Sequence, residues 1–364
     1  MARYTITSPD SPALAELCQR LAAGAASVDS SGAWPSEQLR LCGEYGVFEW
    51  FVGRDWGGQA WVQSDIVRGY LELSGACLTT TFVITQRTGA CRRIETSDNQ
   101  RLKEKLLPGL VTGESFATVG ISHLTTSRRH LTKPVLRAQR VEGGWLLDGF
   151  SPWVTGADHA EHVVVGATVM AGDEATDQQL LVCVPTTLHG ASAPPPLELV
   201  GLTASHTGQF HLDKVFLADE WVVLGPAENV MTLGSGGNTG GYQTSTLALG
   251  LAKAAIGLVE KESEKRPELK PALTALTDAY EPLQADLFAA VDGEAPCSTE
   301  ELRTRANSIA LRAAQASLVA AKGAGYVTGH PAGRWCREAL FFLVWSCPQP
   351  VLEANLCELA GILE

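Results

Sequence analysis

The stretch Trp145-Leu146-Leu147-Asp148-Gly149-Phe150-Ser151-Pro152-Trp153-Val154-Thr155 joins short apolar runs through Gly, Asp and Pro. That is the texture of strand, not of helix. Val163 to Ala167, Leu180 to Val184 and Val215 to Leu217 repeat it, each a brief run rich in β-branched residues. The segment from about residue 116 to 228 is therefore expected to be a β-barrel or sandwich domain, with Pro194 to Pro196 in a surface loop. Trp153 and Thr155 stand two apart in an extended segment, so both are expected on one face of the strand.

Outward from that block the pattern changes to helix on both sides. Ser36 opens a helix that stops at Gly46. Ser97 stands three residues before Gln100, the spacing of a capping box, and predicts a helix from Arg101 to Leu107 that Pro108-Gly109 ends. Beyond the strands, Leu247, Leu251, Ala254, Ala255 and Leu258 form one amphipathic stripe. Ser298 and Glu301 set a second capping box before a helix over Leu302 to Lys322, whose Ala-rich face suits close helix packing. The expected fold class is α+β: an N-terminal helical domain (1–115), a middle β domain (116–228) and a C-terminal four-helix bundle (229–364). Regular helix–strand alternation with a GxGxxG turn is missing, which disfavours a doubly wound nucleotide fold.

With 364 residues, 45% of them hydrophobic, the chain exceeds what one core usually holds, in keeping with several packed units. A formal charge of −12 argues against nucleic acid, which selects basic faces. No apolar run is long enough to span a bilayer, and Met1-Ala2-Arg3-Tyr4 begins no export signal, so a cytoplasmic protein is expected. The nine Cys are scattered, with no CxxC pair, and are expected to be reduced and mostly buried.

Four short motifs in the right order resemble the acyl-CoA dehydrogenase superfamily over nearly the whole chain. They are Trp34-Pro35-Ser36 with Gly46-Val47 and Asp55-Trp56-Gly57-Gly58, then Leu107 to Ala117, then Leu147 to Asp158, and last Gly323-Ala324-Gly325-Tyr326 with Arg334, Arg337 and Glu338. The resemblance implies FAD as cofactor, with Trp153 and Thr155 lining the flavin. An isoalloxazine needs a flat apolar wall and donors aimed where charge accumulates on reduction, which an indole and a hydroxyl supply. Read without the resemblance, the pair is more readily a core Trp beside a turn Thr.

By the same likeness Ile121 and Ser122 would face the flavin pyrimidine, and Gly323 and Gly325 would let backbone approach the nucleotide. Arg266 would reach the cofactor of a neighbouring subunit. Ser127 and Arg128 would meet substrate phosphate, or else form an exposed basic turn. Val319 stands where the family has a Gln.

Desaturation beside a thioester needs a base for the weakly acidic α-proton. Counting from Arg337 by the family spacing places Ser346 where the catalytic Glu is usual, and the alternative position falls on Gly240. A Ser hydroxyl is a poor base unaided. His123 is the candidate substitute. Glu338 reads as an ion-pair partner of Arg337, and Glu353 is the nearest other acid. His159 and His162 form an HxxH spacing without a third ligand, so a surface loop and no metal are expected. Cys347 reads as packing, since apolar neighbours raise a thiol's pKa.

The resemblance thus implies an FAD-dependent oxidoreductase acting on an acyl-CoA or acyl-carrier thioester, as a homodimer or homotetramer. Its electrons would pass to an electron-transfer flavoprotein or to oxygen. A flavin-dependent monooxygenase of the same fold and a non-catalytic acyl-CoA-binding homologue are the competing readings.

Overall fold

The computed structural model describes residues 5–125, 134–233 and 242–362. The helices α1 (Pro12–Ser31), α2 (Ser36–Glu44), α3 (Gln63–Ala76), α4 (Leu78–Glu95) and α5 (Gln100–Thr112) come first. Next follow β1 (Ala117–Gly120), the single turn α6 (Ser122–Thr125), β2 (Leu136–Val141), β3 (Gly144–Thr155) and β4 (His162–Ala171). Then come β5 (Glu174–Pro185), β6 (Ala191–Ser192), β7 (Thr207–Ala218) and β8 (Val222–Glu228). Helix returns with α7 (Tyr242–Lys265), α8 (Lys270–Val291), α9 (Thr299–Gly325), α10 (Pro331–Ala339) and α11 (Gln349–Ala360). No described helix is long and apolar enough to cross a membrane.

The strands form one mixed eight-stranded sheet in the order β6-β7-β3-β2-β4-β5-β8, with β1 parallel to β4. All four expected strand runs lie within it. Between Ser151 and Val154 the β3–β7 register slips, so the extra residue falls at Pro152-Trp153. Proline cannot donate to the ladder, and a bulge is where a strand accommodates it. Strict two-residue alternation fails across that bulge. Trp153 is 47% exposed while Thr155 is 3% exposed, so the two side chains differ in burial.

The two helical blocks share a single core. Leu14, Leu17 and Leu21 of α1 join Leu247, Leu251 and Ala255 of α7 and Ile309, Ala310 and Ala313 of α9. α3 and α7 meet closely at Gly250, where a β-carbon would stand 2.5 Å from the Leu71 carbonyl oxygen. Only glycine permits that approach. A second cluster fills the space between α4, α5 and the sheet, through Ala90, Ile94, Leu106, Val119 and Leu181.

Two helix boundaries differ from expectation. The cap of α5 is Asn99, whose side chain accepts from the Leu102 N–H at 3.1 Å, while Ser97 Oγ accepts from the Asn99 N–H at 3.1 Å and donates to the Val223 carbonyl at 2.6 Å. α5 also runs through Pro108 to Thr112, since Leu110 and Val111 are buried and hold the last turn. Ser298 does cap α9, accepting from the Glu301 N–H at 3.0 Å. Of the nine cysteines, all free, Cys42, Cys77, Cys91 and Cys183 are buried and the other five half-buried.

Candidate functional site

The antiparallel register of β3 and β7 sets Thr155 opposite Thr207. Their hydroxyl oxygens lie 2.9 Å apart, and Thr207 Oγ1 is 2.8 Å from Ser205 Oγ. All three residues are buried. A hydroxyl donates one hydrogen bond and accepts two. The row can therefore run from Ser205 through Thr207 to Thr155, leaving the Thr155 proton to be donated beyond it. Two residues before Thr155, the Trp153 indole lies exposed at the bulge. Thr207 and Ser205 carry no sequence signal of their own, since only strand register brings them here.

At the end of β1, Ile121 is half-buried against the cluster between helices and sheet, and Ser122 is half-buried at the start of α6. His123 is 8% exposed, and its Nε2 is 2.7 Å from the Gly166 carbonyl oxygen. A carbonyl only accepts, so Nε2 carries the proton and Nδ1 holds the lone pair. Nδ1 is buried, with no hydrogen-bond partner among the described residues. Burial holds this imidazole below its ordinary pKa, and the Gly166 hydrogen bond offsets that only in part. His123 is thus a neutral side chain with a weaker basic nitrogen than a solvated imidazole. Ser127 and Arg128 lie outside the described residues, as does Gly240.

Ser346 follows the short turn Leu340–Leu343 and has a φ of +43°, the left-handed region that side chains rarely adopt. A buried cation sets this corner. Arg303 of α9 donates to the Phe342 carbonyl at 3.1 Å and to the Trp345 carbonyl at 2.9 Å, and burial lowers its pKa to about 10. The Trp345 ring stacks on Phe341 and meets Phe82 of α4 edge-on, both with centroids 5.0 Å apart.

No described hydrogen bond or ring contact joins Ser346 directly to Trp153 or Thr155. The element common to both is α4, which packs on β1, on the turn Thr203–Ser205 and, through Phe82, on Trp345. Cys347 is half-buried, and burial raises its thiol, in keeping with packing.

Glu353 is exposed and accepts from Gln349 Nε2 at 2.8 Å. Glu338 is 1% exposed. Its charged neighbour is Arg334, one helical turn back, with Nε 3.7 Å from the carboxylate. Arg337 instead turns outward to Asp29, at 3.0 and 2.5 Å, which corrects the expected pairing. Adjacent residues on a helix point apart, whereas residues four apart share a face. Burial pushes the Glu338 carboxyl up to about 7, with Arg334 acting to lower it.

Arg266 donates to Glu262 at 2.8 Å and to the Ala320 carbonyl. The carbonyl contact ties the end of α7 to the last turns of α9. Lys322 breaks α9 with a non-helical φ of 55°, just before Gly323 and Gly325. A β-carbon at Gly323 would meet open space, whereas one at Gly325 would stand 2.8 Å from the Ala321 β-carbon.

A second group of chemistry-bearing side chains gathers just past Thr155. Gly156 N–H donates to the His206 carbonyl at 3.0 Å, tying the turn after β3 to the loop before β7. Gly156 has a φ of +64°, and a β-carbon there would stand 2.4 Å from the Trp34 ring, so only glycine fits. Asp158 Oδ2 is 2.8 Å from His206 Nδ1 and 3.5 Å from His159 Nε2, and the two imidazole nitrogens are 3.1 Å apart. The His159 ring stacks on Trp34 at 4.5 Å.

Spacing had paired His159 with His162, but His162 stacks on Trp221 instead. A cavity of about 590 Å³ adjoins this group, lined among others by Trp34, Phe48, Arg87, Phe116 and His159. Neither Trp153, Thr155, His123 nor Ser346 lines it.

Residues 13–114 match the family described as the acyl-CoA dehydrogenase N-terminal domain. The chain is 24% identical over 351 residues to a mitochondrial isovaleryl-CoA dehydrogenase of Solanum tuberosum, covering 89% of this chain and 82% of that protein. Over 153 residues it is 26% identical to the oxygenase component of p-hydroxyphenylacetate 3-hydroxylase of Acinetobacter baumannii, covering 42% of this chain and 32% of that protein. The fold matches a glutaryl-CoA dehydrogenase of Mycobacterium smegmatis in complex with FADH2, with a TM-score of 0.79 at 17% identity, over 97% of this chain and 96% of the other. Helical block, mixed sheet and helical block stand in the same order along the chain, which has the acyl-CoA dehydrogenase fold and, over residues 13–114, matches that family's N-terminal domain.

Proposed function

We propose that this protein is an FAD-dependent oxidoreductase that oxidises a CH–CH bond next to the carbonyl of an acyl thioester. The observation that carries the reading is the buried hydroxyl row Ser205–Thr207–Thr155 at the end of the strand that bears the exposed Trp153. An uncovered aromatic surface and a hydroxyl with a proton to donate, two residues apart on one strand, are the groups an isoalloxazine needs. The relative bound to FADH2 supports FAD as the flavin. Trp153 would form one wall, Thr155 would donate, Ile121 and Ser122 would border the pyrimidine side, and Gly323, Gly325 and Arg266 would serve the nucleotide end. Bound FAD would supply the hydride acceptor.

The proton step falls to this chain's own residues. Ser346 stands at the place of the family base on a corner fixed by Arg303. It orients a thioester more readily than it removes a proton. His123 is the remaining candidate base, and its Nδ1 lone pair is free of the Gly166 hydrogen bond. Self-association through the C-terminal helices is part of the proposal. Tyr326, Val327, Leu356, Leu359 and Ile362 are all more than half exposed there, and such apolar residues mark interaction sites. A cytoplasmic location is retained, with an electron-transfer flavoprotein or oxygen as the electron acceptor.

The experiment is anaerobic addition of acyl-CoA to the purified yellow protein. Bleaching of the visible flavin bands supports desaturation, and Ser346→Glu is expected to accelerate it. A colourless protein that cannot be reconstituted with FAD refutes the flavoenzyme reading and leaves an acyl-CoA-binding homologue. A monooxygenase is the second reading, favoured by the hydroxyl at Ser346 and by the likeness to p-hydroxyphenylacetate 3-hydroxylase. It requires bleaching only by an external reductant, followed by a transient spectrum on admitting oxygen.

A further inference from the structure

We propose that Asp158, His159 and His206 form a binding site for a borderline divalent transition-metal ion, with Zn²⁺ the expected occupant. The three candidate ligand atoms come from two loops that the Gly156–His206 backbone bond holds together. Their separations are 2.8, 3.1 and 3.5 Å. An ion about 2.1 Å from each would stand about 1 Å off their plane. That lies between the ~0.7 Å of a tetrahedral face and the ~1.2 Å of an octahedral one, so three ligands and open positions are compatible with either geometry.

Two imidazoles and one carboxylate suit zinc and its neighbours better than magnesium or calcium, which prefer all-oxygen sets. Binding needs both lone pairs, which neutral imidazoles provide by carrying their protons on His159 Nδ1 and His206 Nε2. The ligands are held in advance. His159 is stacked on Trp34, and His206 is fixed at φ 47° with its N–H donating to the Thr203 carbonyl at 3.0 Å. The side chains of Asp158 and His159 are 27% and 37% exposed, so an ion can enter.

Nothing in this proposal depends on flavin chemistry, and its test reads binding alone. The full-length protein, dialysed against chelator, is titrated with Zn²⁺ by isothermal calorimetry. One equivalent per chain is expected. His206→Asn, chosen because Asn tolerates positive φ, and Asp158→Asn should each weaken binding at least about tenfold. His162→Ala should bind as the parent does. Mg²⁺ should give no saturable heat. Absence of saturable Zn²⁺ binding overturns the proposal, as does binding that survives both His206→Asn and Asp158→Asn. If His206→Asn loses its native circular dichroism, Asp158→Asn with His159→Gln decides on the same criterion.

Discussion

Replacing Glu338 by Gln should make the protein relatively more stable at pH 8 than at pH 5. Glu338 is 1% exposed, and burial is the leading cause that pushes its carboxyl from an ordinary 4.5 to about 7. Arg334 opposes the rise, but its Nε is 3.7 Å away, beyond hydrogen-bond reach. A carboxyl whose pKa is higher folded than unfolded keeps a proton that the unfolded chain has released. Its stabilising contribution is therefore complete below about pH 4.5 and is lost as pH rises through about 7.

The full gap corresponds to about 3 kcal/mol, of which about 2.5 kcal/mol falls between pH 5 and pH 8. Glutamine is neutral at both, so Glu338→Gln removes this slope while other titrations cancel between variant and parent. The assay is urea unfolding of both proteins at the two pH values, at fixed protein and flavin concentration because bound ligand shifts stability. A difference between the proteins that stays constant within about 0.5 kcal/mol refutes the reasoning. A difference of opposite sign would show instead an ionised carboxylate stabilised by Arg334.

Two further outcomes follow from the site and the surface. Thr155→Val preserves shape and removes the last hydroxyl of the buried row. It should leave flavin bound yet slow anaerobic bleaching by acyl-CoA about a hundredfold, read by stopped flow, and an unchanged rate would remove Thr155 from the chemistry. Leu356→Glu places a charge among the exposed apolar residues of the C-terminal helices. Light scattering should report an oligomer for the parent and a smaller species for the variant, while a monomeric parent would end the self-association proposal.

How far the sequence reaches depends on whether a feature is local. The runs at Leu180 to Val184 and Val163 to Ala167 were legible as strands because a short β-branched stretch between turn residues has few other homes, and both lie within one sheet. The Pro108 stop misled because a proline costs a helix one hydrogen bond locally, whereas the burial of Leu110 and Val111 that offsets it comes from distant parts of the chain. At the other end of that helix the cap is Asn99, two residues beyond Ser97, whose hydroxyl is oriented by a carbonyl 126 residues away.

The same division governs the site. Trp153 and Thr155 are visible in one motif, but Thr207 and His206 become partners only through the β3–β7 register and the loop beside it. A short histidine spacing therefore pointed to His162, when the residue that completes the group lies 47 positions from His159. Glu338 is the instructive exception, because nothing distant was needed there. Helix geometry alone sets position i against i−4 and away from i−1, so Arg334 was the partner available to elementary reasoning.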